Sequence, residues 1–143
     1  MKYLKLFEKF TIEELIENNK KANEILEDIK SISYIIEDEG FDIQYTFQFS
    51  KDWKQSFINV DDYNTSRDAG RARKKINGIS LVIHKNSIET SKKTRLDFSP
   101  SDNEILNNFI VLLKEHLDYI DGKSILSGRG NFNNSMSILI QFG

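Results

Sequence analysis

The chain has no cysteine, a single proline and only seven glycines among its 143 residues. The absence of cysteine excludes disulfides, thiolate nucleophiles and zinc sites of the cysteine type. Low contents of proline and glycine argue against long disordered linkers. No apolar run approaches the roughly 20 residues that a membrane-spanning helix needs, and we expect no membrane partner.

An excess of either charge is also missing, since 20 basic residues stand against 22 acidic ones and the net charge is −2. The electrostatic field of the whole protein therefore attracts neither nucleic acid nor an anionic membrane. Binding to either would need a local patch of basic residues. Ten phenylalanines and 38% hydrophobic residues are enough for one core. We divide the chain into an amphipathic leader over residues 1–10 and a single domain over residues 11–143.

The first part of that domain has the pattern of a helix. Thr11 and Glu14 form a capping box, which predicts a helix that starts at Thr11. Apolar residues at helical spacing continue to Ile36, and Gly40 provides the stop. Asn18 and Asn19 are a weak point, so two helices in line are the alternative.

The hydrophobic period then changes to two, which is the pattern of a strand with one buried face. Residues 43–49 are the clearest strand, and further strands are predicted over residues 53–60, 78–85, 88–98, 123–127 and 135–142. A second helix begins near Pro100, with Ser101 and Glu104 as its capping box, and ends at Gly122. The predicted fold is α+β, a single antiparallel sheet of about five to six strands with two main helices on one face, in the order α-β-β-β-β-α-β-β.

No catalytic or cofactor motif stands out in the sequence. His84 and His116 are the two histidines, and we interpret them as residues on a strand surface and a helix flank. We expect no catalytic residue, no metal ligand and no cofactor, and favour a protein that is not an enzyme. A metal-dependent hydrolase or nuclease is an alternative, because acidic residues cluster over residues 37–42, at Asp61-Asp62 and at Asp118 and Asp121, and clustered oxygen ligands can hold magnesium or calcium. The element order also resembles restriction-type nucleases, and Asp52-Trp53-Lys54 matches their acid-x-Lys triplet in letters.

Basic residues are concentrated in two segments near the middle of the chain. If these segments lie on the same side of the sheet, they form a local cationic patch, which makes nucleic acid the alternative partner. Phosphate binding by such a patch would depend strongly on salt. The candidate residues are Arg67, Arg71, Arg73, Lys74, Lys75, Lys92, Lys93 and Arg95.

The opening segment alternates apolar, basic and acidic residues. Its sequence, Met1-Lys2-Tyr3-Leu4-Lys5-Leu6-Phe7-Glu8, resembles the start of many small uncharacterised proteins of tailed phages, especially phages that infect Bacteroidota. The resemblance covers about ten residues of the chain. It implies a location in the cytoplasm of an infected bacterium or in the virion.

These observations together favour a non-catalytic phage accessory protein that binds another protein, or itself as a homo-oligomer. Its role would be that of a virion component or of an inhibitor of a host defence system. The acidic side chains at the end of the first helix are placed where the helix dipole disfavours them, which is compatible with a solvated helix end or with pairing to a basic partner. The candidate partner-binding residues are Leu4, Phe7 and Phe10 of the leader and Glu37, Asp38 and Glu39 at that helix end.

Overall fold

A computed structural model of the protein describes residues 2–51, 54–60, 75–86, 95–130 and 133–142. For residues 2–18, 50–51 and 54–58 it describes the backbone alone. It contains two main helices, α1 (Lys2–Glu37) and α2 (Pro100–His116). The strands are β1 (Phe41–Lys51), β2 (Lys54–Asn59), β3 (Ile76–Asn86), β4 (Arg95–Leu96), β5 (Ser124–Arg129) and β6 (Ser135–Gln141).

The strands form one antiparallel sheet in the spatial order β2-β1-β3-β6-β5, and the short β4 pairs with one end of β3. The predicted α+β class and element order are confirmed. Most predicted strands agree with the observed ones to within two or three residues at each end. The predicted strand over residues 88–98 lies within the described part only from residue 95 onwards, where β4 has two residues.

The core lies between the helices and the inner face of the sheet. Alternate residues of β3 and β6 are buried, as expected for strands with one covered face. The buried apolar residues of the sheet are Phe41, Phe47, Phe49, Ile76, Ile79, Leu81, Ile83, Met136, Ile138 and Ile140. Those of the two helices and the residue after α2 are Ala22, Ile25, Leu26, Ile29, Ile32, Ile36, Leu106, Phe109, Leu113 and Leu117.

The first helix is longer than predicted, because it begins at Lys2 and passes through Thr11 without a break. The predicted helix start at Thr11 is therefore wrong, and so is the alternative of two helices in line. A favourable cap contributes only about 1 kcal/mol, and no proline or glycine between residues 2 and 37 interrupts the backbone hydrogen bonds. Despite its 36 residues, α1 is not apolar enough to cross a membrane, and the other described helices are not either.

Asn19 has a role that its place in the middle of α1 does not suggest. Its side chain is buried, and its Oδ1 accepts a hydrogen bond of 3.3 Å from the backbone N–H of Ile76 at the start of β3. A buried backbone donor without a partner would cost about 1–3 kcal/mol. Asn19 therefore fixes the position of β3 against α1.

The second helix begins with a capping box that lies two residues before the predicted one. Ser99 is the N-cap, its Oγ accepts from the Asp102 N–H at 3.1 Å, and its own N–H donates to Asp102 Oδ2 at 2.9 Å. The predicted box of Ser101 and Glu104 is wrong. Pro100 explains the shift, because a proline fits the first helical position and leaves Ser99 as the cap.

Candidate protein-binding edge

The strand β5 lies at one end of the sheet and pairs with β6 through all six of its residues. Within the described part of the chain, no strand pairs with its other side. Apart from the half-buried Ile125, the residues of β5 are exposed. This outer side of β5 is called the β5 edge below.

The backbone groups at the β5 edge follow from the hydrogen bonds next to it. The Gly130 N–H donates to the Ser135 carbonyl oxygen at 3.1 Å, and these two residues continue the register between β5 and β6. In an antiparallel pair, opposite residues alternate between hydrogen-bonded and non-hydrogen-bonded pairs. The N–H and C=O groups of Ser124, Leu126 and Gly128 therefore point to β6, and those of Ile125, Ser127 and Arg129 point to the β5 edge.

A second hydrogen bond on the other side of β6 gives the same assignment. The Phe142 N–H donates to the Asn77 carbonyl oxygen at 2.9 Å, just beyond the last pair of β3 and β6. The alternation then directs Ile140 and Ile138 to β3, which leaves Gln141 and Leu139 for β5. Both ends of the ladder agree on which groups face outwards.

From Ser124 to Gly128 the β5 edge has none of the features that usually protect an edge strand, and the one inward charge of β5, Arg129, lies at its end. Such strands commonly carry an inward or central charge, a proline or a bulge that prevents pairing with another chain. Between Ser124 and Gly128 there is no charge and no proline, and the register with β6 is unbroken. The basic residues Lys123 and Arg129 flank this neutral run. The Arg129 guanidinium lies 5.7 Å from the centroid of the Phe98 ring, on the inner side of the sheet.

Leu126 is the exposed apolar residue of this strand. It is 56% exposed and lies on the outer face of the sheet, directly opposite Leu139 of β6. Full burial of a leucine side chain contributes about 1.5–3 kcal/mol. A strand added at the β5 edge would cover the remaining exposed part of Leu126 and gain a fraction of that energy.

A row of polar side chains on the outer face holds β5 and β6 in register with the rest of the sheet. Ser124 Oγ donates to Gln141 Oε1 at 3.3 Å, and Gln141 Nε2 donates to Gln48 Oε1 of β1 at 3.4 Å. Gly78 of β3 lies between the two glutamines, and a Cβ atom there would be 2.6 Å from Gln48 Oε1. The row therefore depends on the missing side chain at position 78.

The buried carboxylate of Asp102 lies away from this edge and is fully engaged in structural contacts. One oxygen accepts from Lys85 Nζ at 3.0 Å and the other accepts from the Ser99 N–H. Burial opposes ionisation, but the bonds from Ser99 and Lys85 outweigh it and lower the pKa of Asp102. A carboxylate that has a low pKa and accepts two hydrogen bonds is poorly suited to act as a general base at neutral pH.

A cleft of about 500 Å³ lies between α1 and the segment that follows α2. Tyr119 donates a hydrogen bond to Asp28 in this cleft. The lining combines apolar residues with three carboxylates and one lysine: Ile25, Ile120, Phe142, Glu24, Asp28, Asp121 and Lys21. Burial and the neighbouring Asp28 raise the pKa of Tyr119 to about 12. The phenol therefore stays protonated at neutral pH.

The structure describes the side chains of three of the six predicted partner-binding residues, those at the end of α1. Glu37 is the last residue of α1, and Asp38 and Glu39 follow it in the turn; all three are exposed. The side chains of Leu4 and Phe7, like that of Phe10, lie outside the described residues although their backbone belongs to α1. The binding role of these six residues stays a prediction.

The predicted basic patch is divided in the described part of the chain. Lys75 is exposed just before β3, whereas Arg95 is exposed on β4 opposite Asn86, at the other end of β3. The 11 residues of β3 separate them by roughly 35 Å at the usual rise per residue. These two residues therefore do not share a patch. The other six, Arg67, Arg71, Arg73, Lys74, Lys92 and Lys93, lie outside the described residues.

The histidines and carboxylates of the described part form no group of three or more that could hold a metal ion. His84 lies on the outer face of β3, whereas the preceding Ile83 is buried on the inner face. His116 is exposed in the last turn of α2. The triplet that resembles restriction-type nucleases is described only at Lys54. Within the described residues, no arrangement of side chains supports the alternative of a metal-dependent hydrolase.

No protein-family model, curated protein or solved structure matches this chain. Function is therefore inferred from the residues and their geometry. The sequence predicts a strand over residues 123–127 but not its place at the end of the sheet, so the β5 edge was missed. The signal for it is the neutral run from Ser124 to Gly128 between two basic residues.

Proposed function

We propose that this protein works by binding another protein, which adds an extended segment to the β5 edge. The observation that carries this proposal is the unbulged edge strand, uncharged from Ser124 to Gly128, with the N–H and C=O groups of Ile125, Ser127 and Arg129 directed outwards. Strand addition of this kind is a common mode of peptide recognition, in which the main chain supplies affinity and alternate side chains supply specificity.

The energetics indicate what the added segment must provide. Six main-chain hydrogen bonds at a net 0.5–1.5 kcal/mol each contribute about 3–9 kcal/mol. Loss of translational and rotational freedom alone costs about 4–15 kcal/mol. Backbone pairing therefore needs help from side chains, and the exposed Leu126 favours a segment with an apolar residue beside it.

A phage accessory role, either in the virion or as an inhibitor of a host defence system, is part of the same proposal. Its support is the resemblance of the first ten residues, and strand addition is compatible with both roles. A nucleic-acid-binding role has weaker support, because Lys75 and Arg95 lie at opposite ends of β3.

The test is a selection from a library of random ten-residue peptides displayed on a carrier, with the full chain as bait. Selected peptides are then measured against Ser127→Pro and Ser127→Ala variants. Proline removes the outward N–H at position 127 and leaves the ladder to β6 intact, since that N–H does not point to β6. Alanine keeps the N–H and is the matched control.

We expect the selected peptides to bind the wild type and the alanine variant alike and to lose at least tenfold in affinity for the proline variant. Hydrogen exchange should show new protection at the amides of Ile125, Ser127 and Arg129 when peptide is bound. Failure to select any peptide, or equal binding to all three proteins, would show that the β5 edge is not the binding surface.

A further inference from the structure

We infer that the β5 edge also pairs with the β5 edge of a second copy of this chain, in an antiparallel dimer with its two-fold axis at Ser127. This inference rests on the proposed binding edge and names one occupant for it. An antiparallel pair around a two-fold axis uses the same strand on both sides, so the strand must be complementary to itself.

The outward-pointing groups determine the register. With the axis at Ser127, each Ser127 faces its counterpart, and Ile125 of one copy faces Arg129 of the other. All three residues have their N–H and C=O groups at the edge, so three hydrogen-bonded pairs and six hydrogen bonds form. No outward group of the strand is left without a partner.

The alternative register with its axis at Leu126 is less favourable on two grounds. It brings Ile125 opposite Ser127 of the other copy and forms two hydrogen-bonded pairs within β5, so Arg129 can pair only with Lys123, which lies outside the strand. It also places Lys123 directly opposite Arg129 of the other copy, and like charges in that position destabilise a sheet. With the axis at Ser127, Lys123 falls beyond the paired residues.

Gly128 provides an independent observation in favour of the second copy. Glycine weakens a strand, and within a strand it often marks a close approach by another backbone or ligand. In the described part of the chain the positive φ angles of glycine are at Gly40 and Gly122, so Gly128 is not required by its backbone angle. A Cβ atom at Gly128 would also meet nothing within 4 Å.

The dimer supplies the contact that the single chain lacks. Gly128 and Leu126 lie on the same outer face, and with the axis at Ser127 each Leu126 stands directly opposite Gly128 of the other copy. The two exposed leucines, each 56% exposed in the single chain, then lie diagonally across the seam and cover the glycines. Diagonal neighbours across an antiparallel pair are close enough for long side chains to touch.

The experiment is sedimentation equilibrium of the wild type and three variants between about 1 µM and 1 mM protein, a range suited to an interface of this small size. Ser127→Pro removes the central hydrogen bonds, and Gly128→Val fills the space opposite Leu126 without touching an outward N–H. Ser127→Ala is the control. Circular dichroism and hydrogen exchange at the Leu126 and Gly128 amides verify that each variant is folded.

We expect the wild type and Ser127→Ala to dimerise with similar dissociation constants, and both other variants to raise that constant at least tenfold. The amides of Ile125, Ser127 and Arg129 should exchange more slowly at high protein concentration. A wild type that stays monomeric at about 1 mM overturns the inference, as does a folded Ser127→Pro that still dimerises. Neither result affects peptide capture by the monomer, so the proposed function fails or stands separately.

Discussion

The ion pair between Asp102 and Lys85 is the buried electrostatic contact most open to a direct test. Asp102 is 6% exposed, and its carboxylate joins β3 to the start of α2 through Lys85 Nζ and the Ser99 N–H. Lys85 Nζ also lies 5.3 Å from the centroid of the Phe41 ring, so its charge is held on both sides. Removal of the carboxylate therefore disturbs three contacts together.

Two substitutions separate the contributions of the cap and of the charge. Asp102→Ala loses the reciprocal capping bond, worth about 1 kcal/mol, and the charged hydrogen bond with Lys85, worth about 1.5–3 kcal/mol. We expect a total loss of about 3 kcal/mol. Asp102→Asn keeps an oxygen for the Ser99 N–H but loses the charge, and we expect it to lose about 2 kcal/mol.

The cost should depend on pH in a defined direction. Burial disfavours the charged Asp102, but the hydrogen bonds from Ser99 and Lys85 are stronger, and the pKa of Asp102 is lowered in the folded protein. The stabilisation is therefore complete above the unfolded value of about 3.9 and is lost as the pH falls through the folded pKa. Asp102→Asn should be clearly less stable than the wild type near pH 7 and nearly equal to it near pH 2.

Urea denaturation at the two pH values measures these differences, with Lys85→Met as the partner variant. The double-mutant cycle with Asp102→Asn should give a coupling free energy of about 1–2 kcal/mol near pH 7. A loss below about 0.5 kcal/mol for Asp102→Asn, or the same loss at both pH values, would refute the assignment of a stabilising charge to this site.

Three further outcomes are expected. Gly78→Ala should destabilise by about 2 kcal/mol, because its Cβ would lie 2.6 Å from the buried Gln48 Oε1; Gly128→Ala, which meets nothing within 4 Å, is the control, and equal urea midpoints would contradict the clash. Burial and Asp28 raise the pKa of Tyr119 to about 12, so Asp28→Asn should lower the pH midpoint of the last tyrosine ionisation in an ultraviolet titration. An unchanged curve would rule out an interaction between Asp28 and Tyr119. A gel shift at about 50 mM salt should show no complex with DNA or RNA, and a salt-sensitive complex would favour the nucleic-acid alternative.

Much of the fold could be predicted because the hydrophobic period reports which face of an element is buried. The alternation from Ile43 to Phe49 predicts β1, and the spacing from Leu106 to Leu117 predicts α2. The boundaries were less accurate, because a local signal such as the capping box at Thr11 competes with continuation of the helix. The cap at Ser99 shows the same competition, decided there by Pro100.

The candidate site was harder to predict, because strand order is not written in a local pattern. The sequence predicts a strand over residues 123–127, but not which neighbour it lacks. The buried Asn19 is a similar case, since its partner is the Ile76 N–H, which lies far away in the sequence. Both features depend on long-range contacts, which only the assembled structure defines.

The position of β6 also has a consequence for how the chain matures during synthesis. The strands β1, β2 and β3 are neighbours in the sheet and are all made early, so they can pair while translation continues. One side of the apolar β3 then stays unpaired until β6 is synthesised, because β6 is its neighbour on that side and follows all the other described strands in the sequence. Long-range strand pairing of this kind is slow and leaves nascent chains prone to aggregation. Chaperone demand should therefore be set by the interval between β3 and β6.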